Sequence, residues 1–171
     1  RVEAPEAWAD SHVVFFRENN GIWVPAEGTP TFKLEDGFAT RIEEELIFGG
    51  VEVYVDPATH HPELNPHSIG YRTVFYRGAD VSSLTKFAVG PDMMKDIRLV
   101  SLPSGRIAVF TRPQGGASGS GKIGYTEVPR LEDLNTENIL NAEIIENLFS
   151  PGEWGGPNEL HVLGDGTVGV L

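Results

Sequence analysis

The sequence predicts an all-β fold, and three observations carry that prediction. Segments rich in β-branched and aromatic residues follow one another along the chain, separated by Gly, Pro or Asn. A set of features recurs at intervals of about 60 residues, the length of a four-stranded unit. Only one stretch, near Thr136, has helical character.

The strand signals run in order. HVVFF (12–16) is a compact apolar run, and GIWVP (21–25) follows it, with Trp23 assigned to the core. ELIFGGVEVYV (45–55) and YRTVFY (71–76) are the longest runs, with KFAVG (86–90) after them. IRLVSL (97–102) and RIAVFT (106–111) flank Pro103-Ser104-Gly105, a turn that supplies the positive φ a tight hairpin needs. KIGYTEV (122–128) comes next. ELHVL (159–163) and TVGVL (167–171) flank a second such turn, Gly164-Asp165-Gly166. Thr136 is placed to cap a short helical turn through TENILN, and AEIIENLF then reads as helix or strand, with strand favoured.

Three copies of one module account for this order. Each opens with a strand: VVFFRE at 13, TVFYRG at 73 and KIGYTE at 122. Each then carries a polar pair, Glu35-Asp36, Lys95-Asp96 or Asn158-Glu159, followed by a hairpin. Asp36 and Asp96 are 60 residues apart, and Asp96 and Glu159 are 63 apart. Units of this length with about four strands are blade-like, and blades set radially make a β-propeller, whose inner strands bring their starts to a central channel. The polar pairs are therefore expected to converge on one axial pocket. Three modules cannot close a ring, since propellers use about 4–8 blades. The chain starts at Arg1 without Met and stops at Leu171 inside an alternating apolar run, so residues 1–171 are expected to be one propeller domain truncated at both ends. A β-sandwich with hairpins alike by chance is the competing fold.

Composition narrows the partners. At 171 residues and 40% hydrophobic content, one domain-sized core is expected. Acids outnumber bases by 25 to 13, and the net charge of −12 disfavours nucleic acid and anionic membranes. The absence of cysteine excludes disulfides, thiolate metal sites and a thiol nucleophile, and fits a cytoplasmic location. No apolar run approaches the ~18 residues of a membrane span. Oligomeric state is left open, a homo-oligomer included.

Positive charge is concentrated in one place. From Lys95 to Lys122 the bases are Lys95, Arg98, Arg106, Arg112 and Lys122, against the single acid Asp96. Salt bridges to distant acids would explain this, and so would an anion site, most simply for phosphate, built from Lys95, Arg98 and Arg112 with Lys122 or His161. GASGSGK (116–122) has the spacing of a phosphate-binding loop, but Ile123 stands where a magnesium-binding hydroxyl belongs, and a strand follows where a helix is required. It reads as a hairpin loop. His60, His61 and His67 lie in a proline-rich run and read as a solvated loop, and no metal site is expected. Trp154, among glycines in GEWGGPNE, reads either as a sugar-stacking platform or as packing.

RVEAPEAWADS, KLEDGFATRI, MKDIRLV, FTRPQG, GKIGYTE and WGGPNELHVL occur in this order over nearly the whole chain. Together they resemble a family first described as a domain of unknown function and now linked to mannosyltransferase/phosphorylases of the glycosyltransferase family 108 type. Its relatives are the β-1,2-mannoside phosphorylases of glycoside hydrolase family 130. The resemblance implies a five-bladed propeller, of which this chain would hold about three blades. It also implies an inverting enzyme acting on β-mannosides by phosphorolysis or mannosyl transfer. Inorganic phosphate would be a co-substrate, an oligosaccharide or sugar phosphate the partner, and no cofactor is needed. Asp36 matches the catalytic acid of an E-D-P-R-like motif, which departs afterwards: Gly37 replaces Pro and Phe38 replaces Arg, with Arg41 available to compensate. Arg1, Glu3, Glu35, Asp96, Trp154, Asn158 and Glu159 would bind the sugar. Lys95, Arg98, Arg112 and His161 would bind phosphate. One acid suffices because phosphorolysis supplies its own anionic nucleophile, whereas inverting hydrolysis needs a second carboxylate to activate water. A hydrolase using Glu159, Asp96 or Glu3 as that base, and a non-catalytic carbohydrate-binding propeller, are the alternatives.

Overall fold

The computed structural model describes residues 11–55 and 69–171. Arg1, Glu3, Trp8, His60, His61 and His67 lie outside them. The described chain is all-β, with antiparallel sheets that follow one another in sequence.

The first pair of strands is β1 (Phe16–Asn19) and β2 (Ile22–Pro25). Asn20 and Gly21, both at positive φ, make the two-residue turn between them. Two expectations change here. The apolar run 12–16 is not the strand: Val13 makes a single bridge to Phe32, and Phe15 packs edge-on against Phe32 and Phe48. Val13 and Phe15 pack into a core while Val14 and Phe16 stay exposed, and the FREN segment, which starts at Phe16, does the pairing. Trp23 is not core either. It is 68% exposed, on a strand where only Val24 is half-buried.

A four-stranded meander follows: β3 (Glu35–Ile42), β4 (Glu45–Val55), β5 (Ile69–Gly78) and β6 (Thr85–Val89). A second meander has the same order: β7 (Arg98–Ser101), β8 (Ile107–Thr111), β9 (Gly124–Val128) and β10 (Glu143–Ile144). The glycine-rich stretch 115–121 is the loop between β8 and β9, as expected. Between β9 and β10 runs the short helix α1 (Thr136–Leu140). Its N-cap is Asn135, whose side chain accepts from the Asn138 amide, and Thr136 instead donates its hydroxyl to the Val89 carbonyl. The strand after α1 is only two residues long, shorter than AEIIENLF suggested. A final hairpin consists of β11 (Leu160–Val162) and β12 (Val168–Val170).

The sheets stack face to face. Ile47, Phe75, Ile97, Leu99 and Val109 form one apolar layer between the two meanders. Phe48 and Val74, the sequence neighbours of Ile47 and Phe75, point the other way into a layer with Phe15, Phe32 and Tyr76. Ala108 and Phe110 likewise face a third layer with Leu160, Val168 and Val170 of the last hairpin. Burial on both faces explains why β4 and β8 read as continuous apolar runs with little alternation. It also gives each meander a covered layer on either side, more layers than a two-sheet sandwich has.

The module boundary shifts as well. TVFYRG and KIGYTE are third strands of their sheets, and each meander begins at a polar pair instead. No helix among the described residues is long and apolar enough to cross a membrane.

Candidate active site

The first strands of the last three units lie side by side, with β7 between β3 and β11. Each is preceded or opened by its polar pair, so the pairs arrive at one end of three neighbouring strands. There at least one member of each pair walls a cavity of about 650 Å³. Asp36 and Gly37 come from the first unit, Lys95, Asp96 and Arg98 from the second, and Asn158 from the third. Val13, Val14, Phe16 and Leu34 form an apolar side.

The backbone is bent to deliver these carboxylates. Asp36 sits at φ 48° and Asp96 at φ 60°, the left-handed region that costs an L-residue about 1–2 kcal/mol and that Asp tolerates better than most. The pairing of β3 with β4 shifts register between Glu35 and Phe38, and this irregularity re-aims Asp36 at the strand entrance. Equivalent positions in two units thus carry the same uncommon conformation.

Charges alternate around the wall. Lys95 Nζ lies 3.6 Å from Asp36 Oδ2. Arg112 Nη1 donates to Asp96 Oδ2 at 2.6 Å. Arg98 is buried: its Nε donates to the Asn158 carbonyl at 2.7 Å and its Nη1 to the Ile97 carbonyl at 3.2 Å. Its guanidinium stacks 4.3 Å from the centre of the Phe38 ring. Burial draws the Arg98 pKa below its ordinary value, against the pull of the Asp96 charge. Phe38, the residue that breaks the E-D-P-R-like motif, is therefore a platform for a cation from the next unit.

The other expected residues are distributed around this centre. Glu159 and His161 pair at 3.3 Å and line an adjoining cavity of about 460 Å³ that shares Arg98 and Asn158 with the first. Glu35 lines a third cavity of about 390 Å³ with Tyr71 and Gln114, and Lys95 is its common wall with the first. Arg112 is not among the lining residues of these cavities. Of the remaining bases in the positive stretch, Arg106 pairs with Glu127 at 2.6 Å and Lys122 with Glu146 at 3.5 Å. Those two belong to ordinary surface pairing, so Lys122 leaves the expected anion cluster. One face of Trp154 carries the Arg112 guanidinium, 4.8 Å from the ring centre, although the residue is 57% exposed. Among the described residues, no three His, Asp or Glu side chains gather as a metal site would require.

A family model described as "Protein of unknown function (DUF1861)" matches residues 1–171. The chain belongs to this family. Solved structures of similar fold and sequence include a mannose phosphorylase from Leishmania mexicana in complex with a phosphate ion (36% identity, TM-score 0.80, 95% of this chain and 48% of that one). A GDP-Man-dependent mannosyltransferase from the same organism is 32% identical, with TM-score 0.77, over 94% of this chain and 47% of the other. A hypothetical protein from Leishmania major is 32% identical, with TM-score 0.76, over 97% and 49%. This member of the family thus spans about half the length of its solved relatives. No curated protein matches it.

Proposed function

We propose that the protein acts on mannosides as an inverting phosphorylase, within a five-bladed propeller of which its two meanders are complete blades and its end hairpins parts of two more. The observation that carries this is the convergence on one cavity of acids and cations from two successive units and an amide, Asn158, from a third, in a chain 36% identical to a mannose phosphorylase.

Asp36 is the general acid. A phosphate oxygen attacks the anomeric carbon as its bond to the leaving sugar breaks, and the Asp36 proton passes to the leaving oxygen. Lys95 and Arg98 are the cationic wall for phosphate, with His161 at the adjoining cavity. Asp96, Asn158, Glu35 and Glu159 take sugar hydroxyls, with Arg1 and Glu3 adding to them and Trp154 at the rim. Lys95 is paired with Asp36, so an arriving phosphate competes for that ammonium and lets the Asp36 carboxyl hold a proton. Run in reverse, the same centre would build a mannoside from mannose 1-phosphate. The 32% identity to a GDP-Man-dependent mannosyltransferase makes GDP-mannose the second donor to test.

The experiment uses the protein in its complete reading frame, with β-1,2-mannobiose and phosphate. Mannose 1-phosphate should form only when phosphate is present. Asp36→Asn should lower turnover about 100- to 10,000-fold and leave mannobiose binding intact, because the amide keeps the shape and removes the proton. Free mannose released without phosphate would identify a hydrolase. Turnover unchanged in Asp36→Asn would remove that residue from the mechanism.

A further inference from the structure

Arg112 was expected to meet phosphate, yet its side chain is spent elsewhere. It leaves the end of β8 and is nearly buried. Nη1 donates to Asp96 and Nη2 to the Ser120 carbonyl at 3.2 Å. Nε is buried without an acceptor among the described residues. Trp154 covers the guanidinium. Two glycines leave the slot in which the side chain runs: a Cβ at Gly121 would stand 2.6 Å from Nε, and one at Gly156 would overlap Cδ. Two loops, 115–121 and 152–157, are thus fitted around one arginine whose link to the cavity wall is Asp96.

We propose, resting on the mannosyl reading above, that Arg112 is a positioning residue that holds the Asp96 carboxylate at the cavity wall as the acceptor for a sugar hydroxyl, and that it does not itself bind phosphate. Asp96 has an unfavourable backbone conformation and stands at the mouth of a strand, where an unsupported carboxylate would have several rotamers. A short, charge-assisted hydrogen bond from a side chain locked on three sides selects one of them. The arginine fork suits this task, and a lysine ammonium on a flexible stem does not.

The deciding variant is Arg112→Lys, which keeps the charge and loses the fork. In phosphorolysis by the complete protein, the KM for mannobiose should rise about tenfold to a hundredfold, the range for a lost hydrogen bond to a charged group. The KM for phosphate should stay at its wild-type value. In an Asp96→Asn background the same change should add little, since both substitutions break one pair. A rise confined to the phosphate KM, or full additivity with Asp96→Asn, would overturn the proposal. Gly156→Ala, whose Cβ would overlap Arg112 Cδ and displace the fork, should give the same split if Arg112→Lys does not fold. Calorimetric titration of wild type with mannobiose and with inorganic phosphate separates the two levels of inference. Binding of neither would end the mannosyl reading, and the Arg112–Asp96 pair would then stand or fall on additivity of the two substitutions in thermal stability.

Discussion

At Asp36 and Asp96 the backbone angle constrains which substitutions can test the side chain. Replacing either by Ala removes the carboxylate and also places a poorly suited residue in the left-handed region, so Asn, which tolerates it, is the cleaner probe. Away from the cavity, Tyr125 carries the clearest titration signature. Its hydroxyl donates to Glu127 at 2.6 Å, and burial, helped by that hydrogen bond and the Glu127 charge, pushes the phenol from 10.0 up to about 12. The folded state therefore keeps a proton that the unfolded chain gives up at lower pH. This contribution to stability is fully present below pH 10.0 and is lost as pH rises towards about 12. Denaturant melts across that window should show wild-type stability falling more steeply than that of Tyr125→Phe. Parallel curves would show that Tyr125 is not the group responsible.

At the scale of elements, Arg98 ties three strands together. It opens β7, stacks on Phe38 of β3 and donates to the carbonyl of Asn158 ahead of β11. Arg98→Lys loses the planar stack and the directed Nε bond, and should cost about 1.5–3 kcal/mol, the worth of a hydrogen bond from a charged group. Urea unfolding with an unchanged slope and a lower midpoint is the expected result. Much of this level was legible in the sequence. β4 is the run 45–55 as read, and the second hairpin falls on either side of its Pro-Ser-Gly turn, because continuous β-branched runs and turn residues are local signals. The polar pairs were legible because they recur. The exposure of Trp23 and the use of Val13 and Phe15 as core filling depend on which surfaces other segments cover, and no local pattern records that. Asn20-Gly21 did carry a strong hairpin signal that marks β1 and β2 directly. The partners of Arg112 come from three separated segments, Asp96, Ser120 and Trp154, and neither the positive stretch nor the family resemblance records those contacts.

At the scale of the molecule, the cavity is enclosed by segments far apart in the chain. Residues near 36, 96 and 158 must be brought together by packing of whole sheets before any ligand can be held. A ligand that spans those walls binds the folded state alone, and at a hundred times its Kd should add about 2.7 kcal/mol of stability. Mannobiose and phosphate together should raise the Tm of the complete protein, and Asp96→Asn should reduce that rise. A Tm indifferent to both compounds would mean that the cavity is not where they bind.

The three polar pairs also differ from one another: Glu-Asp, Lys-Asp and Asn-Glu stand at corresponding places. The backbone repeats from unit to unit while the side chains break that symmetry. A pseudo-symmetric pocket with identical walls would accept a ligand in several interchangeable orientations. Here one wall offers a lone acid, Asp36, the next a base and an acid, Lys95 and Asp96, and the third a neutral amide, Asn158, so a molecule whose two ends differ in charge, such as a sugar facing a phosphate, has a single favourable direction in which to lie.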